Sequence, residues 1–288
     1  MSKLGYIYLN IGEYNRAEHF LKESFEIYKN LPRDHSLKMA WTLKNLGELQ
    51  IPLCRFKESK HYLEKSLQFY KKSSVINQIE IANVLKLLGD VHRGEGNLIE
   101  AENAVKQALY IFSQQLGEDS KEAALSLRTL GIINRNKGDF IKAHAFLRKS
   151  LEIHTKIFGK GHIKTSQIST LLGRNYRNLG YFLNAKDLLE KNLTIYEAYY
   201  GQNHVDTAET MFSLGAAFLD LGNILKAKKY CEKSWHIFKN YYGLDHLMTA
   251  EAAGYLGNTY RASGYYNKAR EFLEYAHKIY KKNYPSTH

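Results

Sequence analysis

Apolar residues recur along the chain at helical spacing, with polar residues filling the positions between. Leu85, Leu88 and His92 are followed by Leu98, Ala101, Val105 and Ala108, so one such stretch carries two amphipathic helices, with no strand alternation competing. The pattern is also periodic on a longer scale. Leu4-Gly5, Leu46-Gly47, Leu88-Gly89, Leu130-Gly131, Leu172-Gly173, Leu214-Gly215 and Leu256-Gly257 are each 42 residues apart. Twelve residues after each glycine stands a second small residue: Ala17, Ser59, Ala101, Ala143, Ala185, Ala227 or Ala269. One small position on each helix lets the two backbones of a pair approach closely.

A turn glycine follows seven residues after the first, at Gly12, Gly96, Gly138, Gly180, Gly222 and Gly264, where a left-handed C-cap is cheap. In the second unit Cys54 takes this slot and Pro52 stands two residues earlier, which predicts an early end to the first helix and a distorted hairpin. A single hairpin cannot bury its apolar faces, so neighbours must stack into one continuous core. The expected fold is all-α: a solenoid of seven helix-turn-helix units forming a single array over 1–288. The units fall at 1–33, 34–75, 76–117, 118–159, 160–201, 202–243 and 244–285, with 286–288 starting a further linker. Met1 aligns with Leu43 and Leu85 in the middle of a first helix, so the opening unit is truncated by about two turns. Pro285-Ser286-Thr287-His288 stands in register with Gly243-Leu244-Asp245-His246. The sequence therefore reads as a segment of a longer protein, or as a truncated product whose uncapped array ends are covered by a partner or by self-association.

The composite pattern, L-G-x-x-[YHNF], then a turn Gly, then Ala with an apolar residue four later, resembles the tetratricopeptide repeat over the whole chain. The linkers Tyr200-Gly201-Gln202-Asn203-His204 and Tyr242-Gly243-Leu244-Asp245-His246, with the related Phe158-Gly159-Lys160-Gly161-His162, resemble those of the 42-residue repeats of kinesin light chains. That family's Asn-Asn-Leu pattern is approached only at Lys44-Asn45-Leu46. The resemblance implies a right-handed superhelix whose first helices line a concave groove, and a peptide ligand that meets one stripe of those helices. Positions minus three, plus one and plus four from the key glycine share that face.

Read off unit by unit, the stripe is Lys44, Glu48 and Ile51; Lys86, Asp90 and Arg93; Arg128, Ile132 and Arg135; Thr170, Arg174 and Arg177; Phe212, Ala216 and Leu219; and Gly254, Asn258 and Arg261. Asn136 and Asn178 add neutral donors and acceptors beside the arginines. The candidate peptide-binding residues are thus Lys44, Lys86, Arg93, Arg128, Arg135, Asn136, Arg174, Arg177, Asn178, Phe212, Leu219, Asn258 and Arg261. A basic run followed by an apolar stretch suits a protein or peptide with acidic residues and an apolar anchor entering near Phe212 and Leu219. Arg93, Arg135, Arg177 and Arg261 also fall in last turns, where a cation complements the helix dipole.

Lys+Arg 41 against Asp+Glu 29 leaves a net charge of +12, which favours acidic partners. It opens a second reading, binding of nucleic acid or an anionic surface, for which steep salt dependence would be the signature. A third is a sensor or oligomerisation arm of a larger regulator or bacterial effector. No apolar run approaches the length of a membrane span and the first residues lack a secretory pattern. Two cysteines in 288 residues make no disulfide framework, so a cytoplasmic protein is expected, in the host cytosol if it is an effector.

Candidate chemistry does not change this picture. His162, His204, His246 and His288 recur at the repeat period, and ligands one helical repeat apart, about 10 Å, cannot converge on one metal; they read as linker or capping residues. Cys231 takes a slot held elsewhere by Leu147, Leu189 and Leu273 and reads as a buried small hydrophobe, while Cys54 reads as a turn residue with no base beside it. Gly94-Glu95-Gly96 follows a helix where a phosphate loop would follow a strand, and the Asn192-Leu193-Thr194 sequon lies within a second helix. The expectation is a binding protein, with no enzymatic activity, metal or cofactor.

Overall fold

The computed structural model describes residues 1–32, 35–73 and 77–283. Among these residues the helices are α1 (Ser2–Asn10), α2 (Tyr14–Asn30), α3 (Ser36–Gln50), α4 (Phe56–Lys72), α5 (Gln78–Gly94), α6 (Leu98–Leu116), α7 (Lys121–Asn136), α8 (Phe140–Phe158), α9 (Ile163–Asn178), α10 (Phe182–Tyr200), α11 (Val205–Asp220), α12 (Ile224–Tyr242), α13 (Leu247–Ala262) and α14 (Tyr266–Asn283). The described residues include no strand. The expected unit boundaries at 33/34 and 75/76, and the expected linker start at Pro285-Ser286-Thr287-His288, lie outside the described residues.

Packing divides the chain into two compact units, Met1–Ile153 and His154–His288, with the division falling inside α8. In the first unit α1 pairs with α2, α3 with α4 and α5 with α6, and each hairpin packs on the first helix of the next. In the second, α9 pairs with α10, α11 with α12 and α13 with α14 in the same succession. The core of each is the set of positions read from the period. Leu21, Leu43, Leu46 and Leu49 cluster in the first unit, as Leu189, Leu214 and Ala217 do in the second. Each such leucine contributes about 1.5–3 kcal/mol by leaving water.

The glycine after each key leucine is a point of close approach. A Cβ built on Gly131 would lie 2.6 Å from Leu147 Cγ, and one on Gly47 would lie 2.6 Å from Leu63 Cγ. Nothing larger than hydrogen fits there without separating the pair. The partner slot is equally tight: Ser59, fully buried, uses its hydroxyl to donate to the Gly47 carbonyl at 2.7 Å.

The second hairpin departs from its neighbours. α3 does end early, at Gln50, whereas α5, α7 and α9 run two residues further in register. Its turn keeps two of its neighbours' bonds and lacks a third: Cys54 N–H donates to the Ile51 carbonyl at 3.0 Å, but no bond from Leu53 to Leu49 matches that of Lys137 to Ile133. Arg55 N–H donates to the Gln50 carbonyl at 3.0 Å, as Asp139 N–H does to Asn134 at 2.9 Å. Cys54 adopts the left-handed conformation itself, with φ of 56°. The hairpin is thus distorted at the end of α3, where Pro52 has no N–H to give, while its closing bonds are kept and offset the modest cost of a non-glycine residue in the left-handed region.

Candidate functional site

In Met1–Ile153 the first helices α1, α3, α5 and α7 touch in succession, so their stripe residues form one run. Lys44 on α3 is 9% exposed and its ammonium is held by Glu80 Oε2 on α5 at 2.7 Å. On α5, Arg93 Nη2 reaches Asp90 at 3.6 Å within its own helix, and Arg93 Nε is buried without a hydrogen-bond partner. Lys86 and Arg128 are half-buried and make no ion pair among the described residues. The Nε of Arg128 is buried and unpartnered as well. Arg135 is half-buried in the last turn of α7, and Asn136 is exposed beside it.

In His154–His288 Arg174 and Arg177 are held by acids of later helices, although Arg174 Nη2 is buried without a hydrogen-bond partner. Arg174 on α9 donates Nε–H to Ser213 Oγ at 2.6 Å and pairs through Nη1 with Glu209 at 2.8 Å. Arg177 pairs with Asp220, donates to Tyr255 Oη at 2.7 Å, and lies 5.1 Å from the centre of that ring. Burial works against the Arg177 charge, but Tyr255 and Asp220 outweigh it and hold its pKa above the ordinary value. These contacts tie α9 to α11 and α13. Asn178 and Arg261 are exposed and Asn258 is half-buried.

The expected apolar notch is closed. Phe212 is 4% exposed and belongs to a core cluster with Val205, Ala208, Phe238 and Ala252. Its ring meets Tyr255 edge-on at 5.1 Å and Phe238 at 6.4 Å. A side chain so covered stabilises its wall and offers a ligand no anchor. Leu219 is half-buried against the cluster of Leu189, Leu214 and Phe218.

Glu80, Glu209, Ser213, Asp220 and Tyr255 were not among the stripe positions, yet they determine which cations remain open. Each lies on a later first helix than the cation it meets, and the acids stand about one repeat further on, at separations of 36 residues for Lys44–Glu80 and 43 for Arg177–Asp220. An acidic residue about one period after a basic one does not by itself reveal them: Glu122 follows Lys86 by the same 36 residues as Glu80 follows Lys44, yet Lys86 makes no ion pair among the described residues.

The histidines and cysteines stand where the sequence suggested. His162, His204 and His246 each precede a first helix and accept a backbone N–H through Nδ1, at 3.1, 3.2 and 3.2 Å respectively. His288 lies outside the described residues. Cys231 is fully buried, and burial pushes its thiol up to about 12. No cluster of metal-ligating side chains, and no helix long and apolar enough to cross a membrane, occurs among the described residues.

A family model describing the tetratricopeptide repeat matches residues 1–72, 80–156, 164–234 and 213–282. No curated protein matches the chain. Among solved structures, BtubC (BKLC) from P. vanneervenii is 19% identical over 80% of this chain and 92% of its own, with a TM-score of 0.66. Nearly identical TPR-like repeats described as those of a kinesin light chain from Podospora anserina are 20% identical over 74% of this chain and 100% of theirs, with a TM-score of 0.56. A Rap protein complexed with competence and sporulation factor is 17% identical over 97% of this chain and 76% of its own, with a TM-score of 0.74. These likenesses concern the fold.

Proposed function

Since the chain belongs to the tetratricopeptide repeat family, whose stacked hairpins serve as scaffolds for protein–protein interaction, we propose that it captures a partner segment bearing carboxylates on the first helices of Met1–Ile153. The observation that carries this reading is the contrast between engaged and open cations. Lys44, Arg174 and Arg177 are held by Glu80, Glu209 and Asp220. Lys86 and Arg128 meet no such acid among the described residues, and Arg128, like Arg174, keeps a buried N–H that has no acceptor among them. An orphaned buried donor costs about 1–3 kcal/mol. A carboxylate supplied by a partner recovers that cost, and arginine's planar fork suits it better than a point charge would.

The pairing of Lys44, Arg174 and Arg177 with the chain's own carboxylates supports this reading. A Rap conjugation gene regulator of similar fold has been solved in complex with the Phr* peptide, which accords with a peptide-binding role for this array. Asn136, exposed in line with Arg135, would add a hydrogen bond to the backbone of such a segment. Engagement of the second unit would require Arg174 or Arg177 to exchange an internal carboxylate for an external one, so its contribution to affinity is smaller.

The test is an acidic-peptide array probed with wild type and with Lys86→Glu/Arg128→Glu. The charge-reversed protein should lose the acidic ligands by roughly tenfold or more, the effect of one charge-assisted contact. Identical bound sets for the two proteins would remove the proposal. Substitution of Phe212 by alanine is expected to lower stability without changing which peptides bind.

A further inference from the structure

The turns of the hairpins in His154–His288 share one edge. Arg177 at the end of α9 pairs with Asp220 at the end of α11, and Lys228 near the start of α12 lies 5.7 Å from the centre of the Tyr265 ring in the turn before α14. From this edge apolar side chains project into solvent. Leu183 and Leu225, each the second residue of its helix, are 63% and 83% exposed, and Tyr181, Tyr265 and Tyr266 beside them are exposed as well. The same register holds Ile99 and Ile141 in Met1–Ile153, again exposed. Hairpin packing does not require these residues, because the buried faces of α10 and α12 are formed by other positions, among them Ala185, Leu189, Ala227 and Cys231.

The edge is also cationic. The first turn of a helix ordinarily favours acidic residues, because its free N–H groups carry partial positive charge, yet α10, α12 and α14 have none there. Lys226, Lys229 and Lys268 are exposed and make no ion pair among the described residues. Their ammonium groups lie 4.9, 5.9 and 5.5 Å from the centres of the Phe218, Tyr230 and Tyr260 rings, contacts that leave the charge unneutralised. Of the nearby acids, Asp220 is taken by Arg177 and Asp187 by Lys186 at 2.9 Å, while Glu271 is exposed in the second turn of α14.

We propose that this edge docks on an anionic lipid bilayer, lying on the surface without crossing it. Separate protruding tips suit lipid. A protein partner needs a matching hole for each tip, whereas acyl chains close around a tip of any shape. Leu183 and Leu225 transfer their exposed surface from water to the hydrocarbon boundary, and the tyrosines, apolar in the ring and polar at the hydroxyl, sit at the headgroup level. The lysines meet the negative surface potential of the bilayer, and the acid-free helix starts present N–H groups to headgroup phosphates. Charge excludes a second copy of the same edge, which would bring like charges together. The contact uses none of the stripe residues, so it and the Lys86 and Arg128 reading can each fail without the other.

The experiment measures co-sedimentation of the full chain with vesicles of phosphatidylcholine containing about 30% phosphatidylserine, beside vesicles of phosphatidylcholine alone. Partitioning should be about tenfold stronger or more on the anionic vesicles. Leu183→Asn/Leu225→Asn keeps every charge and should weaken it about tenfold or more, the scale of two apolar tips returned to water. Lys226→Gln/Lys268→Gln keeps the tips and should weaken it by a similar factor. All four positions are exposed, so both variants should melt as wild type does. Equal partitioning on the two kinds of vesicle, or a lysine variant that partitions as wild type does, would overturn the proposal. So would unaltered partitioning of the leucine variant, which would reduce the attraction to the general field of a chain of net charge +12. Absence of partitioning, with the leucine variant instead abolishing self-association or the lysine variant abolishing RNA binding, would assign the edge to a second copy or to nucleic acid and overturn it as well.

Discussion

The imidazole of His246 lies flat on the ring of Tyr242, with centroids 4.1 Å apart and planes within 9°. Its Nδ1 accepts the N–H of Met248 at 3.2 Å, so the ring caps α13 only while that nitrogen carries no proton. Three residues on, Thr249 donates its hydroxyl to the Gly243 carbonyl at 2.8 Å, closing the linker from the other side. Tyr200 with His204 and Phe158 with His162 repeat the stack at 4.3 and 5.1 Å. A motif of aromatic, glycine, histidine and threonine thus sets the start of each first helix in the second unit.

Acid should loosen this arrangement. Burial lowers the pKa of His246, so the folded chain binds its proton less readily than the unfolded chain, whose value is about 6.5. The stabilisation is complete above about pH 6.5 and is lost as pH falls from there through the lowered folded value. Urea unfolding at pH 7.5 and 5.5 should show the lower midpoint in acid. His246→Asn keeps a capping acceptor that does not titrate, and should remove part of that difference while changing stability at pH 7.5 by no more than about 1 kcal/mol. An unaltered pH profile in the asparagine variant would falsify the assignment.

Substitution of the key glycine tests the packing account. In Gly131→Ala the new methyl would sit 2.6 Å from Leu147 Cγ, and overpacking of this kind costs about 1–3 kcal/mol. Thermal unfolding should report the loss. Adding Leu147→Ala, ordinarily a destabilising change at a position 1% exposed, should cost less in the Gly131→Ala background than in wild type. Additive losses would show that the two side chains do not compete for one space.

Gly131 also shows why so much of the fold was legible in the sequence. Its requirement is steric, local and repeated at the same register, so one position in each unit reports the hairpin geometry. The stripe could be placed for the same reason, but the state of its cations could not. Whether Arg177 is open depends on Asp220 and Tyr255, residues that differ from unit to unit and carry no periodic signature. Phe212 is a case of the same kind: its register fits a groove residue, whereas Tyr255 and Phe238 from neighbouring helices cover it. Periodicity fixes backbones, and the pairing of unlike side chains across units decides what they expose.

The Arg177 network should be a coupled element of stability. Its guanidinium and the Asp220 carboxylate are 19% and 27% exposed, so the pair is partly shielded from solvent. Hydrogen bonds to a charged group contribute about 1.5–3 kcal/mol, and Arg177→Ala should cost an amount in that range. Tyr255→Phe removes one hydrogen bond, keeps the ring under the guanidinium, and should cost about 0.5–1.5 kcal/mol. A double-mutant cycle on chemical denaturation should give a coupling energy above about 0.5 kcal/mol. Simple additivity would mean that Arg177 and Tyr255 act independently despite their contact.

Cys54 offers the opposite test, a substitution expected to stabilise. It holds φ of 56° in a turn slot that Gly138 and Gly180 fill with φ of 79° and 81°. A side chain in this region costs about 1–2 kcal/mol, and glycine removes that cost while adding roughly 0.5–1 kcal/mol of unfolded-chain entropy. The net gain for Cys54→Gly should be small, up to about 1 kcal/mol, with the urea midpoint moving upward. Cys54→Ala retains the Cβ and the strain, and should give no gain. A midpoint that falls in the glycine variant would show that the Cys54 side chain, exposed as it is, contributes more to the turn than its backbone conformation costs.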